Sequence, residues 1–290
     1  MLDDPRAKID RANENLDALA ERVVAFANDA YTIDIEPNEW IEGAPQSEQG
    51  HILIWAEASR DPPAREWGPI IGEIVHGFRS ALDQIAWGLS VSYQATLGVS
   101  PPADPIPRGD PWRNIWFPVC LSPAAWEAAC ANQLWAIDPA LLPLIEPLQP
   151  YVTGQDAPER EPLAVLQELW NIDKHRHLHL VNETVELDEV LTFEPDPEDP
   201  HSPAPRLSFD VISQRAPGPL EGRTEIGRAR MRVKVAPGGI FILSHPQHYM
   251  DPLVAIDPAF EQGHPAYGGR VLHTLRQIGE TVEAILAAVS

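Results

Sequence analysis

The stretch Pro69-Ile-Ile-Gly-Glu-Ile-Val-His-Gly-Phe-Arg-Ser-Ala-Leu-Asp-Gln-Ile-Ala-Trp-Gly-Leu89 decides the class of the fold. Ile71, Val75, Phe78, Leu82, Ile85 and Leu89 recur at steps of three and four, the period of a helix face that seeks a core. The spacing predicts a helix from 67 to about 96. Gly72, His76, Arg79, Asp83 and Trp87 fall on a neighbouring line, so a narrow polar stripe runs down a helix that is otherwise apolar. That stripe has two readings. Arg79 pairs with Asp83 one turn on and the stripe faces water, or it meets a buried element, where Arg, Asp and His are tolerated only with partners.

A second polar cluster, Asn171-Ile-Asp-Lys-His-Arg176, offers complementary groups. It ends a second major helix, predicted over Glu161 to Leu180, whose apolar seam of Leu163, Leu166 and Trp170 continues into Asp173 and His177. A carboxylate one turn from an imidazole orients it and raises its pKa, which serves a general acid or base and serves a structural link equally well. His175, His177 and His179 alternate, and on a strand would share one side and invite zinc or iron. On a helix only His175 and His179 share a face, so neither a metal nor any other cofactor is expected. His245 and His248 fall in a loop and make a weaker pair. The candidate site is therefore His76, Arg79, Asp83, Asp173, Lys174, His175 and Arg176. In a catalytic reading His76 or His175 moves a proton, Arg79, Lys174 or Arg176 holds an anionic group, and Asp83 or Asp173 orients the imidazole. In a non-catalytic reading the same groups lock two helices together or bind a small anion or nucleotide-like ligand.

Around these helices the pattern changes several times. Residues 4 to 28 read as an amphipathic surface helix through Ile9, Leu16, Leu19 and Val23. Tyr31 to Glu36 and His51 to Ala58 alternate as an antiparallel strand pair. Pro101 to Pro111 holds five prolines in eleven residues and reads as a stiff loop. Ser122-Pro-Ala-Ala-Trp opens a short helix with a cap residue and a first-turn proline. Pro143 and Pro147 break Leu141 to Leu148 into short turns. From Thr184 to about Ser244 the chain reads as strands, at Val185 to Phe193, Arg206 to Ile212, Arg228 to Val235 and Ile240 to Leu243. Arg228, Arg230, Arg232 and Lys234 form the most basic strip of the chain if their strand is regular. Residues 267 to 288 close it with an amphipathic helix. Helices first, strands next and a last helix do not alternate as a parallel sheet requires, so the expected class is α+β. One domain over 1–290 is expected, with a helical part to about 182, a β-rich part over about 183–258 and the closing helix.

Composition narrows the function. Lys and Arg number 21 against 43 Asp and Glu, a formal charge of −22. That excess repels a phosphate backbone at long range and argues against generic DNA binding, while a local basic pocket remains open to a small anionic ligand or a short RNA. Cys120 and Cys130 show no zinc-ligand pattern and read as ordinary thiols. No basic segment followed by an apolar run opens the chain and no stretch is long enough to span a bilayer, so the expected setting is the cytoplasm, away from membranes. The two amphipathic terminal helices are compatible with a homodimer.

The segment Gly72-Glu-Ile-Val-His-Gly-Phe-Arg-Ser-Ala-Leu-Asp-Gln-Ile-Ala-Trp87 resembles "GDxxHNLRSALDHLxW" of an uncharacterised protein family frequent in actinobacteria and other bacteria. Phe117-Pro-Val, Ile145-Glu-Pro-Leu-Gln-Pro-Tyr151 and Leu166 to Arg176 are similar, in the same order, to that family's "FPI", "IexLQPY" and "LxxLNNIDKHR". The likeness covers residues 1 to about 182 in organisation, with its specific motifs between 70 and 180. It implies no settled activity, but directs attention to Arg79, Asp83, Asp173, Lys174, His175 and Arg176. A looser similarity is to HEPN-type helical ribonucleases, whose signature is an Arg followed four to six residues later by His on a helix. The relatives' "RSALDH" meets that spacing. This chain has Gln84 in place of the His, and Gly77 where the relatives have Asn. Glutamine cannot act as an acid or base, and His76, one turn earlier, is the substitute on offer. A metal-independent ribonuclease or other hydrolase is the alternative function this likeness implies.

Overall fold

The computed structural model describes residues 3–38, 51–175, 180–183, 190–193, 207–214, 220, 222–232, 257–260 and 270–290. The fold is α+β, as expected. Seven helices are described: α1 (Asp3–Ala30), α2 (Ala64–Thr96), α3 (Pro123–Asn132), the single turns α4 (Leu142–Ile145) and α5 (Pro150–Thr153), α6 (Pro162–His175) and α7 (Val271–Ala288). The described strands are β1 (Tyr31–Asn38), β2 (His51–Ala58), β3 (Leu180–Glu183), β4 (Val190–Phe193), β5 (Leu207–Gln214), β6 (Thr224–Arg232) and β7 (Asp257–Phe260). They separate into two compact units, one of residues 1–22, 63–179 and 260–290, the other of 23–62 and 180–259.

In the first unit α2 is the organising element. Its apolar line is buried throughout, with Ile71, Ile74, Val75, Phe78, Leu82 and Ile85 fully inaccessible. Against it pack α6, through Leu163, Leu166 and Leu169, and α7, whose stripe of Leu275, Ile278, Val282 and Ile285 is equally buried. The apolar face of α7 is thus consumed inside the chain. Helices approach closely where side chains vanish. A Cβ at Gly77 would stand 3.0 Å from the Ala12 Cβ, so α1 and α2 meet almost backbone to backbone there. Between α2 and α6 the chain is punctuated by capped turns. Asp110 accepts from the Trp112 N–H, Ser122 from the Ala125 N–H and Asp138 from the Ala140 N–H. Trp112 sits edge-on to both Trp87 and Trp135, fixing this segment to α2.

The second unit holds a five-stranded sheet in the order β1-β2-β6-β5-β4, and β3 pairs with β7 in a separate two-stranded sheet. β1 and β2 pair antiparallel from Tyr31↔Ala58 to Asn38↔His51, the expected hairpin-like pair, and β2 then pairs with the distant β6. The β2–β6 register shifts between Ile54 and Trp55. Arg223 stacks over Trp55 and bonds Glu36 at 2.7 Å, tying the β6 end across β2 to β1.

The second major helix, expected over Glu161 to Leu180, does not extend to Leu180. α6 ends at His175 and Leu180 already belongs to a strand. The expected strand at Ile240 to Leu243 and the loop histidines His245 and His248 lie outside the described residues, as do the side chains of Arg230 and Arg232 and all of Lys234. No described helix is long and apolar enough to cross a membrane.

Candidate functional site

Arg79 and Asp83 lie one turn apart on α2, and both reach the segment after the proline-rich loop. The Arg79 Nη2 donates to Asp83 Oδ1 at 2.8 Å and to the Phe117 carbonyl at 2.8 Å. The Phe117 N–H donates to the same Asp83 oxygen at 3.1 Å, closing a ring of three hydrogen bonds. This ring holds Phe117-Pro-Val against α2. Arg79 is 3% exposed, whereas the Asp83 side chain retains 32% of its surface.

Burial costs both ions. It pushes the Asp83 carboxyl above its ordinary range against the pull of Arg79, of the Phe117 N–H and of Lys174. It also lowers the Arg79 guanidinium against the pull of Asp83. From α6, Trp170 presents its ring to two cations, with the Arg79 guanidinium carbon 5.4 Å from the ring centroid and the Lys174 ammonium directly over it. Lys174 therefore joins Arg79 and Asp83 in one electrostatic group.

A cavity of about 440 Å³ adjoins Arg79. One wall is Trp116, Phe117, Pro118, Val119 and Cys120; another is the face of α3 formed by Ala125, Ala128, Ala129 and Asn132; Gln133 and Gln167 complete it. The α3 face is hollow because its residues at helical spacing are alanines. Two donors of Arg79, Nε and Nη1, are buried without a hydrogen-bond partner among the described residues, and so is the Gln133 Oε1. No acidic residue is among the described residues that line the space.

Behind the cavity, Gln149 is fully buried and its Oε1 accepts from the Cys120 N–H at 3.0 Å. The Tyr151 N–H donates to the Cys120 carbonyl at 3.2 Å, and the Tyr151 hydroxyl donates to Glu146. Segments 117–120 and 146–151 are thus stitched together, beside the Arg79–Asp83 pair. Burial pushes the Cys120 thiol up to about 11, with Cys130 adding to it. At pH 8 its thiolate is then on the order of one part in a thousand. Iodoacetamide at that pH is expected to alkylate the half-buried Cys130 well before Cys120, as read by peptide mass spectrometry; equal labelling would contradict the burial of Cys120.

The expected site residues divide accordingly. Arg79, Asp83 and Lys174 come together. His76, although on the same helix line, is exposed and has no hydrogen bond or ion pair among the described residues. Asp173 is exposed on α6, its carboxylate filling the space that a Gly72 side chain would need. His175 ends α6 with a side chain outside the described residues, and Arg176, His177 and His179 lie outside them entirely. Among the described residues no group of three or more His, Cys, Asp or Glu could hold a metal ion. Sequence reading overlooked the Phe117 backbone groups, the Trp170 ring and the cavity. Only the alanine spacing of α3 and the Trp170 position one turn before Lys174 carried a signal for them. Compared with protein-family models, with curated proteins and with solved structures, the chain has no match.

Proposed function

We propose that the cavity floored by Arg79 binds a small anionic ligand, with the Asp83 and Phe117 hydrogen bonds holding the guanidinium in place for it. The observation that carries this reading is the placing of Arg79, the single cation of the described lining, in the wall of a cavity without described acidic lining, in a chain of formal charge −22. The same Arg79–Asp83–Phe117 ring is a structural lock in its own right, and the two roles are compatible. Thermal-shift measurement over a panel of small anions tests the reading. Binders should raise Tm in wild type and lose most of that effect in Arg79→Gln; no shift for any anion removes the proposal.

Membership of the bacterial family with HNLRSALDH-like and NIDKHR-like segments belongs to this proposal. Its support is that the segments carrying the likeness, around Arg79, Phe117, Gln149 and Lys174, are bonded or electrostatically linked to their neighbours in the chain. A cytoplasmic setting is proposed with it, since both cysteines are free. The HEPN-like ribonuclease reading has narrower support, because Gln84 has no acid-base chemistry and His76 is exposed. Labelled RNA incubated with wild type, Arg79→Ala and His175→Ala should be cleaved at identical background rates; cleavage lost in both variants would reinstate the nuclease.

A further inference from the structure

We infer that a second cavity, between α5, the start of α6 and the C-terminal half of α7, binds a primary ammonium ion carried on a short alkyl chain, with the chain inward and the charge at the mouth. It shares no lining residue with the Arg79 cavity and stands independently of the anion reading.

The shape sets the orientation. The space measures about 300 Å³, at the small end of ligand pockets, which span roughly 300–1,000 Å³. Pro150 and Leu163 are buried at its inner end, with the half-buried Leu148 and Pro162 beside them. Thr153, Glu280 and Ala284 are exposed and form the mouth. That gradient suits an amphiphile whose hydrocarbon leaves water while its polar head stays wet. A lysine side chain of a partner protein would enter the other way round, with its ammonium at the apolar end, so a free alkyl end is what fits.

Charge complementarity sets the head group. Every polar side chain of the described lining presents acceptors only. The Thr281 hydroxyl donates its hydrogen to the Gln277 carbonyl at 2.8 Å and the Thr153 hydroxyl to the Gln149 carbonyl at 3.4 Å, so both turn lone pairs to other partners. Glu161 and Glu280 add two carboxylates, whose side chains have no hydrogen bond or ion pair among the described residues. The described lining holds no Lys, Arg or His. An ammonium, with three donors and no acceptor, is the matching group. A carboxylate or phosphate would meet like charge, and an alcohol would bring one donor and no charge. Two carboxylates beside hydrocarbon are also a poor divalent-cation site, which needs six or more oxygens, and no group of three or more His, Cys, Asp or Glu that could hold a metal occurs among the described residues.

Gly154 places one of the two charges. The Glu161 carbonyl accepts from the Val165 N–H at the start of α6. Its side chain folds over Gly154, where an added Cβ would collide with the Glu161 Cγ and stand 2.6 Å from its Oε1. The Glu161 carboxylate therefore owes its position to a side chain that is missing at residue 154, outside the cavity lining.

Isothermal titration calorimetry of the full chain tests this with n-butylammonium, n-hexylammonium, 1-hexanol, hexanoate and Nα-acetyl-lysine methylamide as probes. The alkylammonium ions are expected to bind, tightening roughly fourfold for each added methylene that is buried. Hexanol, hexanoate and the capped lysine should each bind at least about tenfold more weakly than hexylammonium. Ala284→Leu, at an exposed position of α7 and with a good helix former, narrows the mouth and should weaken hexylammonium by about tenfold or more. Glu280→Gln removes an exposed charge and should cost about threefold; Gly154→Ala should cost about as much by displacing Glu161. Hexanol or hexanoate binding as tightly as hexylammonium would overturn the choice of an ammonium, and a capped lysine that matches it would overturn the inward chain. Hexylammonium binding indifferent to both Ala284→Leu and Glu280→Gln would mean general attraction to an acidic surface and would overturn the site, as would a panel in which nothing binds.

Discussion

Asp83→Ala is expected to lower the free energy of unfolding by about 3 kcal/mol, because it strands the buried Phe117 N–H and leaves a nearly inaccessible guanidinium without its counter-ion. Asp83→Asn should behave very differently. All the hydrogen bonds that Asp83 accepts in the ring converge on Oδ1, an oxygen that asparagine also possesses. Asparagine keeps the acceptor and forfeits only the counter-ion of Arg79, so Asp83→Asn should lose markedly less than Asp83→Ala. Urea denaturation of the two variants separates the contributions. Equal losses would mean that the ring is held by charge and not by its hydrogen bonds.

The direction of the pKa shift sets the pH dependence. A carboxyl raised above its ordinary value holds its proton in the folded chain where the unfolded chain has already released it. Its contribution to stability is complete below the usual carboxylate pKa, near 3.9, and is lost as pH rises through the raised value. The stability of wild type relative to Asp83→Asn should therefore fall as pH rises from the usual carboxylate range through the raised value. A difference that grows over the same interval would show that Arg79 and Lys174 outweigh desolvation.

What could be read from the sequence follows from how local each interaction is. The line Ile71 to Leu89 repeats at 3.6 residues, and helix α2 buries that line; Tyr31 to Glu36 alternates, and pairs with the next strand in the chain. The Arg79–Asp83 pair was equally visible because one helical turn separates its members. Its third member was not. The Phe117 carbonyl is a backbone group, and every residue carries one, so no residue type marks which carbonyl will accept. The pairing of β2 with β6 joins segments more than 160 residues apart, where neither alternation nor turn chemistry specifies a partner. The Arg79 cavity escaped notice for a further reason. Alanines at helical spacing ordinarily signal good helix formers, and only the surrounding walls reveal that their missing side chains leave a space.

The same dependence on missing side chains governs the core, where Phe78→Ala should remove about 4 kcal/mol of stability. Phe78 is fully buried on α2, and its ring reaches α7 at Gly279. A Cβ at Gly279 would lie 2.9 Å from the Phe78 Cζ and 3.3 Å from the Asn13 Oδ1 of α1, so three helices converge on this point. The Asn13 amide also donates to Glu283 one turn along α7, at 2.8 Å. Glycine inside a helix normally costs about 1 kcal/mol relative to alanine, so Gly279→Ala would stabilise an unencumbered helix. Here overpacking against the ring, worth about 1–3 kcal/mol, should reverse the sign and destabilise the chain. The pairing can be tested by a cycle. Phe78→Leu shortens the side chain that meets the new methyl group, so in the Phe78→Leu background Gly279→Ala should become neutral or stabilising, with a coupling energy of about 1 kcal/mol or more. Strict additivity in urea denaturation would show that the ring and the glycine do not share this contact, and that α7 is held against α2 by its aliphatic stripe alone.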